Sequence, residues 1–452
     1  MDPSVFKAYD VRGRADSGEL DADLFRGIGV ALVVELGART VAVGRDCRES
    51  SPIFASALAD GIRSSGGDVI DVGEVPTDAV YFYSGAKEVH GAVVTASHNP
   101  SQYNGLKLCR PGAAPIGMGS GLERIREFVL SGAAAADATT GDTSRGELTT
   151  QDIVDDYIEH LFSIVPPDSI GPLSVAVDGG NGMAGVALER VFSRLSASLE
   201  GLYLEPDGSF PNHPADPLIP ENLLDLKELM QEAGPFDLAV AFDGDADRAF
   251  FLDDLRVPLS GSTVTSLVAR RILVDHPGSV VVHNLIVSKA VPEVVTESGG
   301  RPVRTRVGHS YIKQVMADTG AVFGGEHSGH YYFRDNFRAD SGMLAMLHLL
   351  RVVTEDGRPL SEIRKDVERY VASGEINFVV ADAADAMQRV SEAFADDPQD
   401  QLDGLTVELG TGWFNLRASN TEPLLRLNVE APDQQEVDEI VQRVSQIVEV
   451  VG

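Results

Sequence analysis

The chain has only two cysteines in 452 residues, Cys47 and Cys109. Neither belongs to a C-x-x-C pair, which argues against a disulfide framework and a thiolate metal site. No apolar run approaches membrane-spanning length, so no membrane partner is expected. Met1-Asp2-Pro3-Ser4-Val5 lacks the basic and apolar regions of a secretory signal, and a reducing, cytoplasmic setting is expected. Lysine is scarce, occurring only at 7, 87, 107, 227, 289, 313 and 365. Positive charge is scarce overall: 37 Lys and Arg against 69 Asp and Glu leave a net charge of −32. That balance argues against nucleic acid and anionic lipid as main partners. Acidic excess with little lysine is the usual look of a protein kept soluble in high salt.

What is present is a globular composition, 43% apolar and 23% charged. The length exceeds one hydrophobic core and suits two to four domains. Residues 6–13 alternate polar and apolar and end at Gly13, read as a turn. Strands are expected at 40–46, 68–73 and around Gly91, with helices over 51–63 and 77–84. Residues 131–146 are small and unpatterned, placing a first boundary near 150. The scheme then recurs: a helix at 153–164 and strands at 173–177 and 237–242, then strands at 279–282, 302–307 and 321–323 with helices at 264–274 and 310–318. A charged helix is expected over 361–371, a break at Ser373-Gly374-Glu375, and an α+β tail with strands at 405–409 and 424–429 and a helix at 434–448. This predicts an α/β fold of three related layers plus a distinct C-terminal domain, divided as 1–150, 151–255, 256–369 and 370–452.

Several loops carry chemistry. Thr95-Ala96-Ser97-His98-Asn99-Pro100 leaves an apolar strand and presents a hydroxyl on a turn stopped by proline. Taken alone, Ser97 reads equally as an ordinary turn serine or a helix N-cap. Asp243-Gly244-Asp245-Ala246-Asp247-Arg248 follows another apolar strand, and its alternate carboxylates can converge on a hard divalent cation. An EF-hand reading fails, because positions six and twelve are Arg248 and Asp254. Gly180-Asn181-Gly182-Met183-Ala184-Gly185 fits the dinucleotide fingerprint, with Glu205 twenty residues on, but the same glycines suit close packing in any α/β unit. Gly325-Glu326-His327-Ser328-Gly329-His330 offers a carboxylate and a hydroxyl for sugar hydroxyls, or is a polar turn. In Arg306-Val307-Gly308-His309-Ser310 a histidine stands where a strand hands over to a helix, fit for acid/base work or anion contact. Arg417-Ala418-Ser419-Asn420-Thr421-Glu422-Pro423 gathers the donors that suit a phosphate dianion.

Together with Ala8 to Gly13 and Gly44-Arg45-Asp46, these motifs resemble, in order and over the whole chain, the α-D-phosphohexomutase family of phosphomannomutase/phosphoglucomutase type. The resemblance implies four domains around a central cleft and a phosphoserine at Ser97. It implies Mg²⁺ held by Asp243, Asp245, Asp247 and the Ser97 phosphate, with glucose 1,6-bisphosphate or a similar compound as activator. Glu326 and Ser328 would recognise sugar hydroxyls, and Arg417, Ser419, Asn420 and Thr421 would grip the distal phosphate. His98, Arg248, Lys289, Gly308 and His330 would be further substrate contacts. Lys107, with its pKa lowered by burial and by Arg12 nearby, would be the base on one side and His309 on the other. The partner implied is a small phosphosugar, acted on by a monomer or small homo-oligomer. Two departures stand out: Pro76-Thr77-Asp78 where the family often has Pro-Thr-Pro, with no effect on the chemistry expected, and His327 where relatives often carry Met or Gln. The second leaves mannose, glucose and glucosamine open. More remote readings are a sugar phosphatase with an aspartate nucleophile and a non-catalytic phosphosugar-binding protein.

The acidic excess predicts that fold and activity depend on salt. Dialysis to low ionic strength, followed by circular dichroism and assay, is expected to weaken both; a chain that keeps both unchanged would refute the expectation.

Overall fold

The computed structural model describes residues 2–132, 144–380, 382–418 and 424–449, so most of the 131–146 stretch read as a linker lies outside the described residues. The first three layers repeat one strand plan. In the second, Ser174–Asp178 lies between Ser198–Leu202 and Leu238–Phe242, parallel to both, and Ala249–Asp253 folds back antiparallel on Leu238–Phe242. In the third, Val280–Asn284 lies between Arg301–Thr305 and Phe323–Gly325, and Tyr331–Phe333 is the antiparallel return strand. In the first, Thr40–Arg45 lies between Asp68–Glu74 and His90–Val94, and Tyr103–Arg110 is the return strand. That layer is widened by Val11–Arg14 at one edge and Leu148–Thr150 at the other.

The parallel strands are apolar runs buried on both faces, as Leu238–Phe242 shows. Crossover helices pack on both sides, and one apolar core runs through all three layers. The last layer is an antiparallel sheet of five strands, ordered Val371–Val379, Leu424–Ala431, Gly412–Ala418, Leu405–Leu409, Gln399–Asp400. Helices Ala383–Ala393 and Gln434–Val448 cover it, and it has a hydrophobic core of its own.

Three local expectations need correction. Gly13 is not a turn but lies inside Val11–Arg14, paired with Asn104. The charged helix over 361–371 is two short turns, Leu360–Ile363 and Arg364–Asp366, and Val371 already begins a strand. Its charges serve ion pairs across elements, such as Arg364 with Asp253 at 2.8 Å, and not a helical face. The break at Ser373-Gly374-Glu375 is a bulge inside that strand, where register slips between Ala372 and Glu375 and the Ser373 hydroxyl accepts from Val429 N–H. Helices Ala22–Val34 and Gly342–Asp356 were not foreseen; the second is buried almost all round and so carries no amphipathic stripe. No helix among the described residues is long and apolar enough to cross a membrane.

Asp78, the residue that departs from Pro-Thr-Pro, joins three layers. Its Oδ2 accepts from Tyr157 Oη of the second layer at 2.7 Å and from the Ser341 hydroxyl of the third at 2.5 Å. Burial pushes its carboxyl up to about 7, against the pull of the two hydroxyl donors and with Asp247 and Asp340 adding to the rise. The folded chain therefore keeps a proton that the unfolded chain releases near its ordinary value of 3.8, and stability falls as pH rises between those two values. Asp78→Asn removes this titration. Thermal midpoints measured at either end of the window are expected to fall less in the variant than in the wild type, and equal falls would refute the assignment.

Candidate functional site

The three α/β layers place their chemistry at the same topological point, the loop between the third strand and its antiparallel return. In the first layer that loop holds Ser97, in the second Asp243–Arg248, in the third Glu326–His330. All three leave the carboxyl ends of parallel strands, where open α/β sheets bind ligands.

Ser97 is buried and takes a left-handed backbone conformation, φ 52°, rare for a residue with a side chain. Its N–H donates to Thr95 Oγ1 at 2.9 Å and its carbonyl accepts from Arg48 Nη2 at 2.8 Å. Arg48 is wholly buried, paired with Asp46, and also donates to the carbonyls of Asn99, Pro100 and Tyr103. This one guanidinium braces the whole loop, and only its burial reveals the role, since in sequence it is one more charge in a polar run. Arg12 adds a second brace, with Nη1 donating to the Ala96 carbonyl and to Asn99 Oδ1 at 2.6 Å while Asp10 pairs its other nitrogen.

The Ser97 hydroxyl donates to Asp243 Oδ2 at 2.7 Å, across the boundary between layers. His98 Nδ1 lies 3.3 Å from the same hydroxyl. Burial, aided by Arg248 and Arg12, lowers the His98 pKa to about 2, so this ring is neutral. The loops approach closely enough to demand glycine. A Cβ on Gly244 would stand 2.5 Å from the Ser97 carbonyl oxygen, and one on Gly182 would stand 2.7 Å from that of Gly244. Backbone contact with the aspartate loop thus accounts for the glycine at 182, and Met183 N–H beside it donates to the Gly244 carbonyl.

Asp243, Asp245 and Asp247 are all buried, and one oxygen of each lies within 4.8 Å of the others. Asp245 Oδ1 and Asp247 Oδ1 are buried with no hydrogen-bond partner among the described residues. Unpaired carboxylate oxygens converging in this way fit a hard divalent cation. Burial, with Asp245 and Asp243 adding to it, holds Asp247 above the usual carboxylate range. Burial would raise Asp245 too, but the Lys107 ammonium and the Thr77 hydroxyl hold it well below the usual carboxylate range.

Lys107 departs from expectation. Its Nζ donates to Asp245 at 2.6 Å and Asp247 at 2.5 Å. Burial favours the neutral amine, yet the two carboxylates overcome it and hold the pKa well above the ordinary value instead of lowering it. Arg12 is committed to the Ser97 loop. Thr77, not foreseen, ties the first layer to the aspartates through Oγ1 on Asp245 Oδ2 at 2.6 Å and its N–H on the Asp245 carbonyl. Arg248 pairs with Asp243 at 2.9 Å and leaves Nη2 buried without a partner.

The second and third loops are joined by a backbone bridge between Arg248 and His330. Glu326 accepts from Tyr332 Oη at 2.7 Å, Gly308 N–H at 3.1 Å and Asn284 Nδ2 at 3.3 Å, which fixes its carboxylate. His327 and Ser328 form the half-buried turn, and His327 lies within electrostatic reach of Arg417 and Glu375 of the last layer. Gly308 caps helix His309–Thr319, and its φ of 130° brings it against the Tyr9 hydroxyl. His309 packs edge-on to Tyr9 at 4.8 Å between ring centroids. Burial, reinforced by Lys313, lowers the His309 pKa to about 3, so its imidazole is neutral.

From the last layer, Arg417 leans toward Glu375 at 3.5 Å, and its Nε is buried with no hydrogen-bond partner among the described residues. Ser419, Asn420 and Thr421 lie outside the described residues. Lys289 pairs with Glu408 at 2.5 Å and its N–H donates to Glu430, so in this structure it joins the third layer to the last.

Comparison with known proteins agrees with this layout. Four family descriptions match in order: phosphoglucomutase/phosphomannomutase alpha/beta/alpha domain I over residues 3–133, domain II over 155–256, domain III over 260–370, and the C-terminal domain over 375–447. A protein of Xanthomonas campestris pv. campestris named "Phosphohexose mutases" is 42% identical over 431 residues, 94% of each chain. A phosphomannomutase of Escherichia coli K12 is 38% identical over 438 residues, 95% of each. Among solved structures, a phosphoglucomutase/phosphomannomutase family protein from Burkholderia thailandensis superposes with a TM-score of 0.87 at 31% identity, covering 100% of this chain and 98% of that one. A putative phosphomannomutase from Thermus thermophilus gives 0.81 at 26% identity, covering 98% of each. With family matches across all four layers and near-complete coverage by these relatives, the chain belongs to the phosphoglucomutase/phosphomannomutase family.

Proposed function

We propose that this enzyme, a hexose-phosphate mutase, interconverts hexose 1-phosphate and hexose 6-phosphate, with mannose or glucose or both as the sugar and glucosamine as the alternative, through a phosphorylated Ser97 and a bound 1,6-bisphosphate. The observation that carries the reading is the Ser97 hydroxyl, 2.7 Å from Asp243 in a buried loop of three carboxylates, two of which keep an oxygen unpaired among the described residues. Asp243, Asp245, Asp247 and the Ser97 phosphate would hold Mg²⁺, which when bound supplies charge neutralisation for the transferring group.

The chain's own residues do the rest. The bond between Ser97 Oγ and phosphorus breaks as a sugar hydroxyl oxygen takes the phosphoryl group, and the hydroxyl proton passes to a base. In the return step Ser97 Oγ takes the other phosphoryl group of the bisphosphate, the bond between that phosphorus and the sugar oxygen breaks, and the proton returns to the sugar oxygen. His309 stands neutral at a helix start, but a pKa lowered to about 3 makes it a weak proton acceptor. It suits a hydrogen bond to the substrate better than proton abstraction. Lys107 keeps its positive charge and suits phosphoryl oxygens better than proton abstraction. Glu326 and Ser328 would face the sugar hydroxyls, while Arg417 with Ser419, Asn420 and Thr421 would grip the distal phosphate. For the bisphosphate to turn, the last layer shifts about the connection near 364–370, beside a cavity of about 270 Å³ between it and the third layer.

Peptide mass spectrometry after incubation with Mg²⁺ and glucose 1,6-bisphosphate is expected to show one phosphoryl group on the Ser97 peptide. Mannose 1-phosphate, glucose 1-phosphate or glucosamine 1-phosphate should discharge it, and their relative rates rank the sugars. Ser97→Ala should lose at least about 10³-fold in mutase activity. Undiminished mutase activity in that variant would overturn the reading, and undiminished release of inorganic phosphate from the sugar phosphate would favour an aspartate-nucleophile phosphatase.

Mg²⁺ is also expected to raise the thermal midpoint of the wild type in proportion to the logarithm of its concentration, because it binds only the folded chain. Asp245→Asn should abolish that rise, and chelation should cut wild-type activity at least about 100-fold. A midpoint indifferent to Mg²⁺ in the wild type would remove the metal from the proposal.

A further inference from the structure

Residues 203–219 of the second layer connect strand Ser198–Leu202 to the turn Pro220–Leu223 with no helix or strand of their own. Connections of that length inside a compact fold are uncommon without a task. This one is held in place by Asn181, the residue between the first two glycines of the 180–185 stretch. Its N–H donates to the Tyr203 carbonyl at 2.8 Å, its carbonyl accepts from Asp207 N–H at 2.9 Å, and its side-chain amide joins the Glu205 carbonyl and the Asn212 amide. His213 fixes the far end, with Nε2 2.9 Å from the buried Asp178. Within the segment Tyr203 and Phe210 take left-handed φ values of 52° and 50°, which bulky side chains adopt only where their surroundings compel it. The strained Phe210 carries its ring across to the first layer, where the guanidinium carbon of Arg48 lies over it, 5.0 Å from the ring centroid. Gly208 lets the two backbones close, since a Cβ there would collide with the Cys47 carbonyl and the Arg48 backbone.

We infer that Phe210 is a positioning residue for Ser97, acting through Arg48. A guanidinium carries five N–H donors in one plane. Those of Arg48 go to Asp46, Ser97, Asn99, Pro100 and Tyr103, so its edge is filled and only its two faces remain. The Phe210 ring covers one face. Its π-electrons attract the charge, and its bulk helps keep water from an arginine that has no exposed surface. With the ring in place the guanidinium cannot tilt, and the carbonyls it holds keep Ser97 in its left-handed conformation with the hydroxyl on Asp243. The first layer thus supplies the serine and its brace, and the second supplies the cover that keeps the brace rigid. The catalytic meaning rests on the mutase reading above; the bracing of the loop does not.

The test uses the full chain and Phe210→Leu, which keeps an apolar cover but not the π-electrons. Deuterium exchange read by mass spectrometry is expected to quicken at least about 10-fold in the peptide spanning 95–105, with peptides of the last layer unchanged. Mutase kcat should fall about 10- to 100-fold with little change in KM, because the sugar and the distal phosphate are gripped by other residues. Phe210→Tyr restores the ring, and from this half-buried place its hydroxyl can reach solvent, so it should recover most of both losses. Unchanged exchange at 95–105 or an unchanged kcat in Phe210→Leu overturns the inference. So does a Phe210→Tyr variant as impaired as Phe210→Leu, since the position would then be merely structural. Should Phe210→Leu fail to fold, Phe210→Met offers a more adaptable apolar cover, and the same exchange and kcat readouts decide. A wild type without mutase activity on any of the three sugar phosphates would sink the proposed function, and the exchange comparison would then decide alone whether Phe210 holds the Ser97 loop.

Discussion

Three carboxylates closed off from water in one six-residue loop repel one another, and much of the surrounding structure can be read as the response to that repulsion. Lys107 reaches in from the first layer, Arg248 folds back from the loop itself, and Thr77 and Ser97 donate hydroxyls. Each contact comes from a different segment, so the loop cannot form without assembling the site. Two carboxylate oxygens still lack a partner, which is the remainder a cation is fitted to take. The strain of the Ser97 backbone belongs to the same arrangement. It is held by the buried Arg48, whose bonds to four loop carbonyls over-determine a conformation the serine would not adopt alone.

A common strand plan explains how one architecture serves several tasks. Each of the first three layers ends its third strand in a tight return, and the three returns meet: Gly244 against Ser97, Arg248 against His330. Nucleophile, carboxylates and sugar-facing side chains thus sit on comparable rigid supports, and differ only in the residues placed at the tip.

Much of this was legible in the chain. The helix at 434–448 appears with those bounds, and the apolar runs before Ser97 and Asp243 are the strands that carry the loops, while the strand expected at 321–323 begins only at Phe323 and runs to Gly325. Periodicity failed where burial leaves none, as in Gly342–Asp356, and where a charged stretch such as 361–371 is cut into short turns by contacts with other elements. Ser97 and the three aspartates could be named because their chemistry is local to a few residues. Arg48 and Thr77 could not, because their roles depend on partners far away in sequence, and a buried arginine looks the same in sequence as an exposed one. The Lys107 expectation failed for the same reason: its charge state is set by carboxylates more than a hundred residues away.

The last layer has its own hydrophobic core, while one apolar core runs through the other three. Polar contacts join the two bodies: Lys289 with Glu408 and Glu430, Arg304 with Asp400, and Val307 N–H with Asp403. Salt screens exposed ion pairs, whereas a buried apolar core owes nothing to them. The fourth layer is thus tied to the other three by contacts of a kind that ions in the solvent can reach, while the three-layer body is held by contacts they cannot.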